Sequence, residues 1–359
     1  MIITAGMRTD IPAFYSEWFL NRIREGFVLV RNPYRPEAVT RYELNPDVVD
    51  ALVFCTKNPT PILPHLQELR AYRQFWYVTL TPYGKDIEPN VPDKRLIVER
   101  FKELSVAVNF HNATLAGIAN SLLPKSSIVT APESFNENTA SEIIRKLDAV
   151  HWRYDPILIT EKYSVEQHIK SFAVMAELLA GYTHTCVISF VDVYNNVKKN
   201  FPELRPVTPE EEIALTKAFV EIGGKYDITI KTCLENSQLA EYGADISGCG
   251  TADTLAKALG LSAQGLILEP PKKKFARPAC SNCIISGDIG AYSNCPHLCR
   301  YCYANHDKGQ VFRSHKLHGP TSPFIVGNPK PGDIIHPAKQ ESWIKPIAKK
   351  PCQPDFFEV

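Results

Sequence analysis

Short apolar or β-branched runs alternate with helix-patterned stretches over residues 1–269, and this alternation constrains the fold more than any other feature. The runs are Ile2–Ala5, Phe27–Val30, Ala51–Cys55, Phe75–Leu80, Cys186–Asp192 and Asp227–Lys231. Between them lie helical stretches at Ala13–Glu25, Ile62–Tyr72, Asp93–Leu104, Asn138–Leu147 and Ser164–Ala180. The last of these sets Val165, Ile169, Phe172, Ala176 and Leu179 on one face. A further helix opens at Thr208-Pro209-Glu210-Glu211-Glu212, with a capping hydroxyl, proline at the first helical position and acids at the positive end of the dipole. Its stripe is Leu215, Phe219 and Ile222, and Gly223-Gly224 is expected to end it; Gly26 ends the first helix. Residues 106–137 carry no readable pattern beyond a short run at Ser127–Thr130.

Apolar strands separated by amphipathic helices predict a parallel sheet with helical crossovers. About seven such units suit a full or partial TIM-like β/α barrel. An open doubly wound sheet is the second reading, but no Gly-x-Gly-x-x-Gly turn follows any run. The expected organisation is a barrel over 1–269, a cysteine-rich loop over 270–307 packed on its rim, and a wrapping tail over 308–359.

Barrel chemistry gathers at the C-terminal ends of the strands. Here those ends carry Arg8, Thr9 and Asp10; Thr56, Lys57 and Asn58; Thr81, Tyr83 and Lys85; Arg153 and Asp155; Ser189 and Asp192; and Cys233 and Glu235. Asp and Asn at such places also cap helices. The set as a whole predicts a polar pocket.

Five of the ten cysteines fall between Cys280 and Cys302. Two spacings compete for them. Cys280-x2-Cys283-x15-Cys299-x2-Cys302 matches a four-thiolate zinc ribbon. Cys295-x3-Cys299-x2-Cys302 places three thiolates around a [4Fe–4S] cluster and leaves its fourth iron open to a small molecule. On the second reading Cys280 and Cys283 are free to hold a second cluster with Cys233 or Cys249; the alternative is that Cys233 ends its strand as a small buried residue. Cys55 and Cys186 read as core residues, and His297 as either a cluster neighbour or a solvated loop residue.

Cys-x3-Cys-x2-Cys with Tyr301 before its last cysteine resembles the signature of radical S-adenosylmethionine (SAM) enzymes. That resemblance implies a full or partial barrel and an open iron that chelates SAM. It also implies one-electron cleavage to a 5′-deoxyadenosyl radical, and an electron donor such as flavodoxin or ferredoxin. In that family the cysteine loop follows the first strand, whereas here it follows the last. A Gly-rich contact for SAM after the second run is replaced by Arg31-Asn32-Pro33. A closer resemblance covers most of the chain: a bacterial family of uncharacterised proteins with this motif at the C-terminal end. Its landmarks here are Arg8-Thr-Asp-Ile-Pro-Ala13, Thr56-Lys-Asn-Pro59, Glu88-Pro-Asn-Val-Pro92, Trp152-Arg-Tyr-Asp-Pro156, Ser189-Phe190 and Asp288-Ile-Gly-Ala-Tyr292. The expected site therefore holds metal at Cys295, Cys299 and Cys302. Tyr301, Asn58 and Ser189 are expected to contact the cofactor, and Arg8, Asp10, Lys57 and Arg153 are the catalytic candidates.

Formal net charge is +1, which gives no support to a nucleic-acid partner. No stretch reaches ~20 uninterrupted apolar residues, so no membrane span is expected. The first ten residues lack a secretion-signal pattern, and the expected compartment is the cytoplasm, where thiols stay reduced.

Overall fold

The computed structural model describes residues 1–118, 137–271 and 282–347. The run expected at Ser127–Thr130 and the residues Cys280 and Cys352 lie outside them. In chain order the strands are β1 (Ile2–Ala5), β2 (Phe27–Arg31), β3 (Ala38–Glu43), β4 (Ala51–Thr56), β5 (Gln74–Thr79), β6 (Val150–Ile157), β7 (Thr185–Phe190), β8 (Thr229–Thr232), β9 (Leu266–Leu268), β10 (Ile334–Pro337) and β11 (Ile344–Pro346).

The fold is mixed α/β around a six-stranded parallel sheet in the order β1-β4-β5-β6-β7-β8. Every residue of β1 and β5 is buried, as expected where helices and loops cover both faces. Among the described residues no strand pairing joins β8 back to β1. Each edge is extended by a single parallel bridge instead, Thr4 to Asp288 beside β1 and Lys231 to Asp245 beside β8.

Alternation along β6 sorts its side chains. Trp152 and Tyr154 face the helices, where Trp152 stacks on Phe172 at 4.7 Å and Phe172 stacks on Phe219 at 4.0 Å. These contacts tie β6 to the Val165–Leu179 and Pro209–Lys225 helices. Arg153 projects the other way and lies 5.2 Å over the Tyr77 ring.

Several expectations change. Phe27–Val30 does not join the parallel sheet: β2 pairs antiparallel with β3, and β3 pairs with β10 of the tail. Ile62–Tyr72 holds only a 3-10 helix, Leu63–Leu69. The helix from Asp93 runs on to Leu115, into the stretch that had no readable pattern. Gly223-Gly224 does not stop its helix, which continues to Lys225. A Cβ on Gly223 would lie 2.4 Å from the Ile228 carbonyl oxygen, so this glycine serves close packing. Gly26 does end the Ser16–Glu25 helix in the left-handed region, and Thr208 forms a full capping box with Glu211.

The tail folds back on the N-terminal elements. β11 pairs with β9, the Trp18 indole donates to the Ser322 carbonyl at 2.8 Å, and the N-terminal amine binds Asp50. No helix among the described residues is long and apolar enough to cross a membrane.

Candidate functional site

The cysteine loop lies over the C-terminal ends of β1, β4 and β5. It arrives alongside β1: the Ile289 N–H donates to the Thr4 carbonyl at 3.0 Å, the Thr4 N–H donates to the Gly287 carbonyl at 3.1 Å, and Arg8 clamps the Asp288 carboxylate at 2.5 Å and its carbonyl at 2.6 Å. Gly6, at φ +143°, lets the chain after β1 cross Cys55 closely; a Cβ there would fall 2.1 Å from the Cys55 carbonyl oxygen. That crossing delivers Asp10 to the loop. Asp10 accepts from the Lys57 N–H at 2.7 Å and from the Ala13 N–H at 3.1 Å, and pairs with His297 Nε2 at 2.8 Å. His297 is buried, edge-on to Phe14, and its other ring nitrogen faces the Asn90 carbonyl. It anchors the loop and is not solvated.

Cys295 and Cys299 are buried, and Cys302 nearly so. Burial raises all three thiols. The Asp10 carboxylate, Cys302 and Cys299 raise Cys295 further, and Glu88 and Cys302 do the same to Cys299. Groups that favour the thiolate stand opposite. The Asp10 N–H points at Cys295, the N–H groups of Ala304 and Asn305 point at Cys302, and Lys57 lies beside Cys299. Asn294, next in sequence, is fully buried, and its amide nitrogen has no partner.

Lys57 leads into a buried charge network. Glu88, 1% exposed, accepts from Lys57 at 2.9 Å and from Thr81 at 3.1 Å, and also from Lys94 and the Tyr301 hydroxyl. Burial alone would raise the Glu88 carboxyl, but the two ammonium charges outweigh it and bring it down to about 2. Burial would likewise discharge Lys57; Glu88 and the Cys299 sulfur hold it charged instead. Tyr301 is therefore fixed by Glu88, under Lys57 and against Tyr83.

The other candidates divide. Asn58 forms a turn, its side chain accepting from the Thr60 N–H at 3.2 Å. Arg153 pairs with Asp155 and lies beside Cys55, Cys233 and Cys249. Cys249 donates to Cys233 at 3.3 Å and is hydrogen-bonded to Cys283 as well. Cys283 thus gathers with Cys233 and Cys249, while Cys299 and Cys302 gather with Cys295. The zinc-ribbon spacing needs Cys283 at Cys299 and Cys302. Among the described residues no group of three His, Cys, Asp or Glu side chains is set to hold a single metal ion. Cys186 is a core residue of β7.

Ser189 hydrogen-bonds Glu235, which also accepts from the Phe190 N–H at 2.9 Å. Burial pushes the Glu235 carboxyl from its ordinary 4.5 up to about 8. A raised acid contributes stability that is present below 4.5 and is lost as pH rises through 8. Glu235→Gln is expected to flatten that loss, whose slope approaches about 1.4 kcal/mol for each pH unit between those limits. Denaturant midpoints measured from pH 4 to 9 check it; parallel wild-type and variant profiles would contradict it.

A cavity of about 420 Å³ opens on the outer side of the loop, lined by Asn90, Asn200, Cys299, Arg300 and Asn305 among others. None of Arg8, Asp10, Lys57, Asn58, Arg153 or Ser189 lines it.

One protein family, described as a domain of unknown function (DUF1848), matches residues 2–115 and 119–304. The chain belongs to this family. No curated protein and no solved structure matches it.

Proposed function

We propose that this DUF1848 member is an iron–sulfur enzyme of the radical SAM type, with a [4Fe–4S] cluster on Cys295, Cys299 and Cys302. The observation that carries the reading is the gathering of the buried Cys295 and Cys299 with the partly buried Cys302, and main-chain N–H groups aimed at Cys295 and Cys302. Hydrogen bonds to the sulfurs stabilise thiolates and set cluster potential. The unpartnered Asn294 amide is a further donor beside the loop, suited to a sulfur acceptor. Bound there, the cluster supplies one-electron reduction of the SAM sulfonium at its open iron. His297 would not fill the open position, because both its nitrogens face other partners, Asp10 and Asn90.

The chain's own residues prepare the site. Lys57 places a fixed positive charge beside Cys299, and Glu88 keeps that lysine in place. Asp10 and His297 hold the loop to the end of β1. The cavity beside Cys299 has the size of a small-molecule pocket.

We read the sheet as a partial β/α barrel. Its two edge bridges support this, because they extend the six strands on both sides. The Asp288 bridge also runs the cysteine segment parallel to β1, as a permuted barrel requires. The stretch after β4, Thr56–Pro59, then becomes the place to seek SAM contacts, since β2 lies in another sheet. The free thiols suit a reducing cytoplasm and a donor such as flavodoxin or ferredoxin.

The test is reductive cleavage. Protein reconstituted without oxygen, given SAM and dithionite, is expected to yield 5′-deoxyadenosine and methionine by mass spectrometry. Intact SAM, with a cluster spectrum that SAM does not perturb, would overturn the reading in favour of an electron carrier.

A further inference from the structure

Three thiols outside the Cys295, Cys299 and Cys302 group meet near Arg153. Cys233 follows β8 directly, Cys249 follows the loop that bridges β8 at Asp245, and Cys283 opens the described part of the cysteine segment. They are 6%, 4% and 9% exposed. Cys249 is the hub, bonded to Cys233 at 3.3 Å and to Cys283. Gly250 packs closely on Ile285 beside this group: a Cβ there would lie 2.3 Å from Ile285 Cδ1, with Cys283 Sγ at an ordinary contact distance of 3.5 Å.

Buried cysteines often serve as small apolar residues. Here, however, a guanidinium that pairs with Asp155 also lies against the thiols. Arg153 is 9% exposed and its positive charge lies beside Cys55, Cys233 and Cys249. A cation in that position lowers the cost of turning buried thiols into thiolates. Thiolates are the form that binds metal, with release of their protons to solvent. Three buried thiols meeting in one place are a ligand set that an iron–sulfur cluster can take up.

We propose that Cys233, Cys249 and Cys283 form a second iron–sulfur site, charge-compensated by Arg153 and independent of the Cys295, Cys299 and Cys302 site.

The test uses the full chain, purified without oxygen and reconstituted with ferrous iron and sulfide. Iron, zinc and acid-labile sulfide are measured in wild type, in C295S/C299S/C302S and in C233S/C249S/C283S. Wild type is expected to hold two clusters' worth of iron and sulfide, and each triple variant half of that. If C295S/C299S/C302S holds no iron while C233S/C249S/C283S keeps the wild-type content, the second site falls and the SAM-site reading stands. The reverse pattern leaves the second site standing and removes the other. Zinc without sulfide in C295S/C299S/C302S, or a Cys233–Cys249 disulfide with no metal, also overturns it. If C233S/C249S/C283S fails to fold, Arg153→Met in the C295S/C299S/C302S background replaces it. That variant keeps all three thiols, and a cluster absorption that shifts or is lost supports the site, whereas an unchanged spectrum contradicts Arg153's part in it.

Discussion

A Cys299→Ala variant is expected to lose the iron of the C-terminal site and all reductive cleavage of SAM, while remaining folded. Cys299 is the middle thiol of the loop, and Lys57 adjoins it. Cys295 and Cys302 alone leave a cubane with two of its four irons unligated, too few to hold it in a reducing, chelating medium. The cost to folding is small by comparison, because one buried thiol is exchanged for a slightly smaller apolar side chain; that exchange removes about 1 kcal/mol or less. The check is an iron and sulfide assay beside a thermal melt. Retained SAM cleavage in this variant would defeat the proposal outright.

The second large effect falls on a residue with no sulfur. Glu88→Gln is expected to destabilise the fold by about 3–5 kcal/mol, the penalty for removing one partner of a buried ion pair. Glu88 is 1% exposed, and its loss leaves the Lys57 and Lys94 ammonium groups facing each other, with side-chain exposures of 15% and 26%. Part of the loss should return in K57M/E88L, where no buried charge is left facing Lys94 at close range, and a double-mutant cycle measures that coupling. The pH dependence follows from the depressed carboxyl. With the folded value near 2 and the ordinary value 4.5, this stabilisation is fully present above 4.5 and drains away as pH falls towards 2. The variant should therefore lack this part of the wild-type acid limb. Urea unfolding at pH 7 and pH 3 checks both statements; a loss under about 1 kcal/mol at pH 7 would mean that the network is solvated.

Helix starts and sheet class were legible because their signals are local. Thr208 caps its helix where its sequence position says it should, through a bond from the N–H three residues further on, and Ser164 opens its helix in the same way. The apolar runs read as parallel strands because burial on both faces leaves little alternation. Pairing partners were not legible. Phe27–Val30 has the same composition as a central strand, and its place is beside β3, in a small sheet whose other edge is β10 of the tail. The glycine pair after Ile222 misled for a similar reason, since Gly223 answers to the Ile228 carbonyl across the chain.

At the site, cysteine spacing announced the loop, because its three sulfurs are close in sequence. Its supports were hidden. His297 meets Asp10 across 287 residues, and Tyr301 meets Glu88 across 213. Glu88 stood in a landmark of the family resemblance, yet nothing in its neighbours marks it as the counter-charge for Lys57. Of the polar residues at the strand ends, Asp10 and Lys57 do neighbour the sulfurs of the loop. Arg8 instead holds Asp288, and Arg153 faces the second group of thiols.

The iron–sulfur reading is tested most directly by the iron and acid-labile sulfide content of wild-type protein purified without oxygen, read beside its visible spectrum. Brown protein is expected, with broad charge-transfer absorption and with iron and sulfide in equal amounts. Colourless protein holding zinc and no labile sulfide would contradict it.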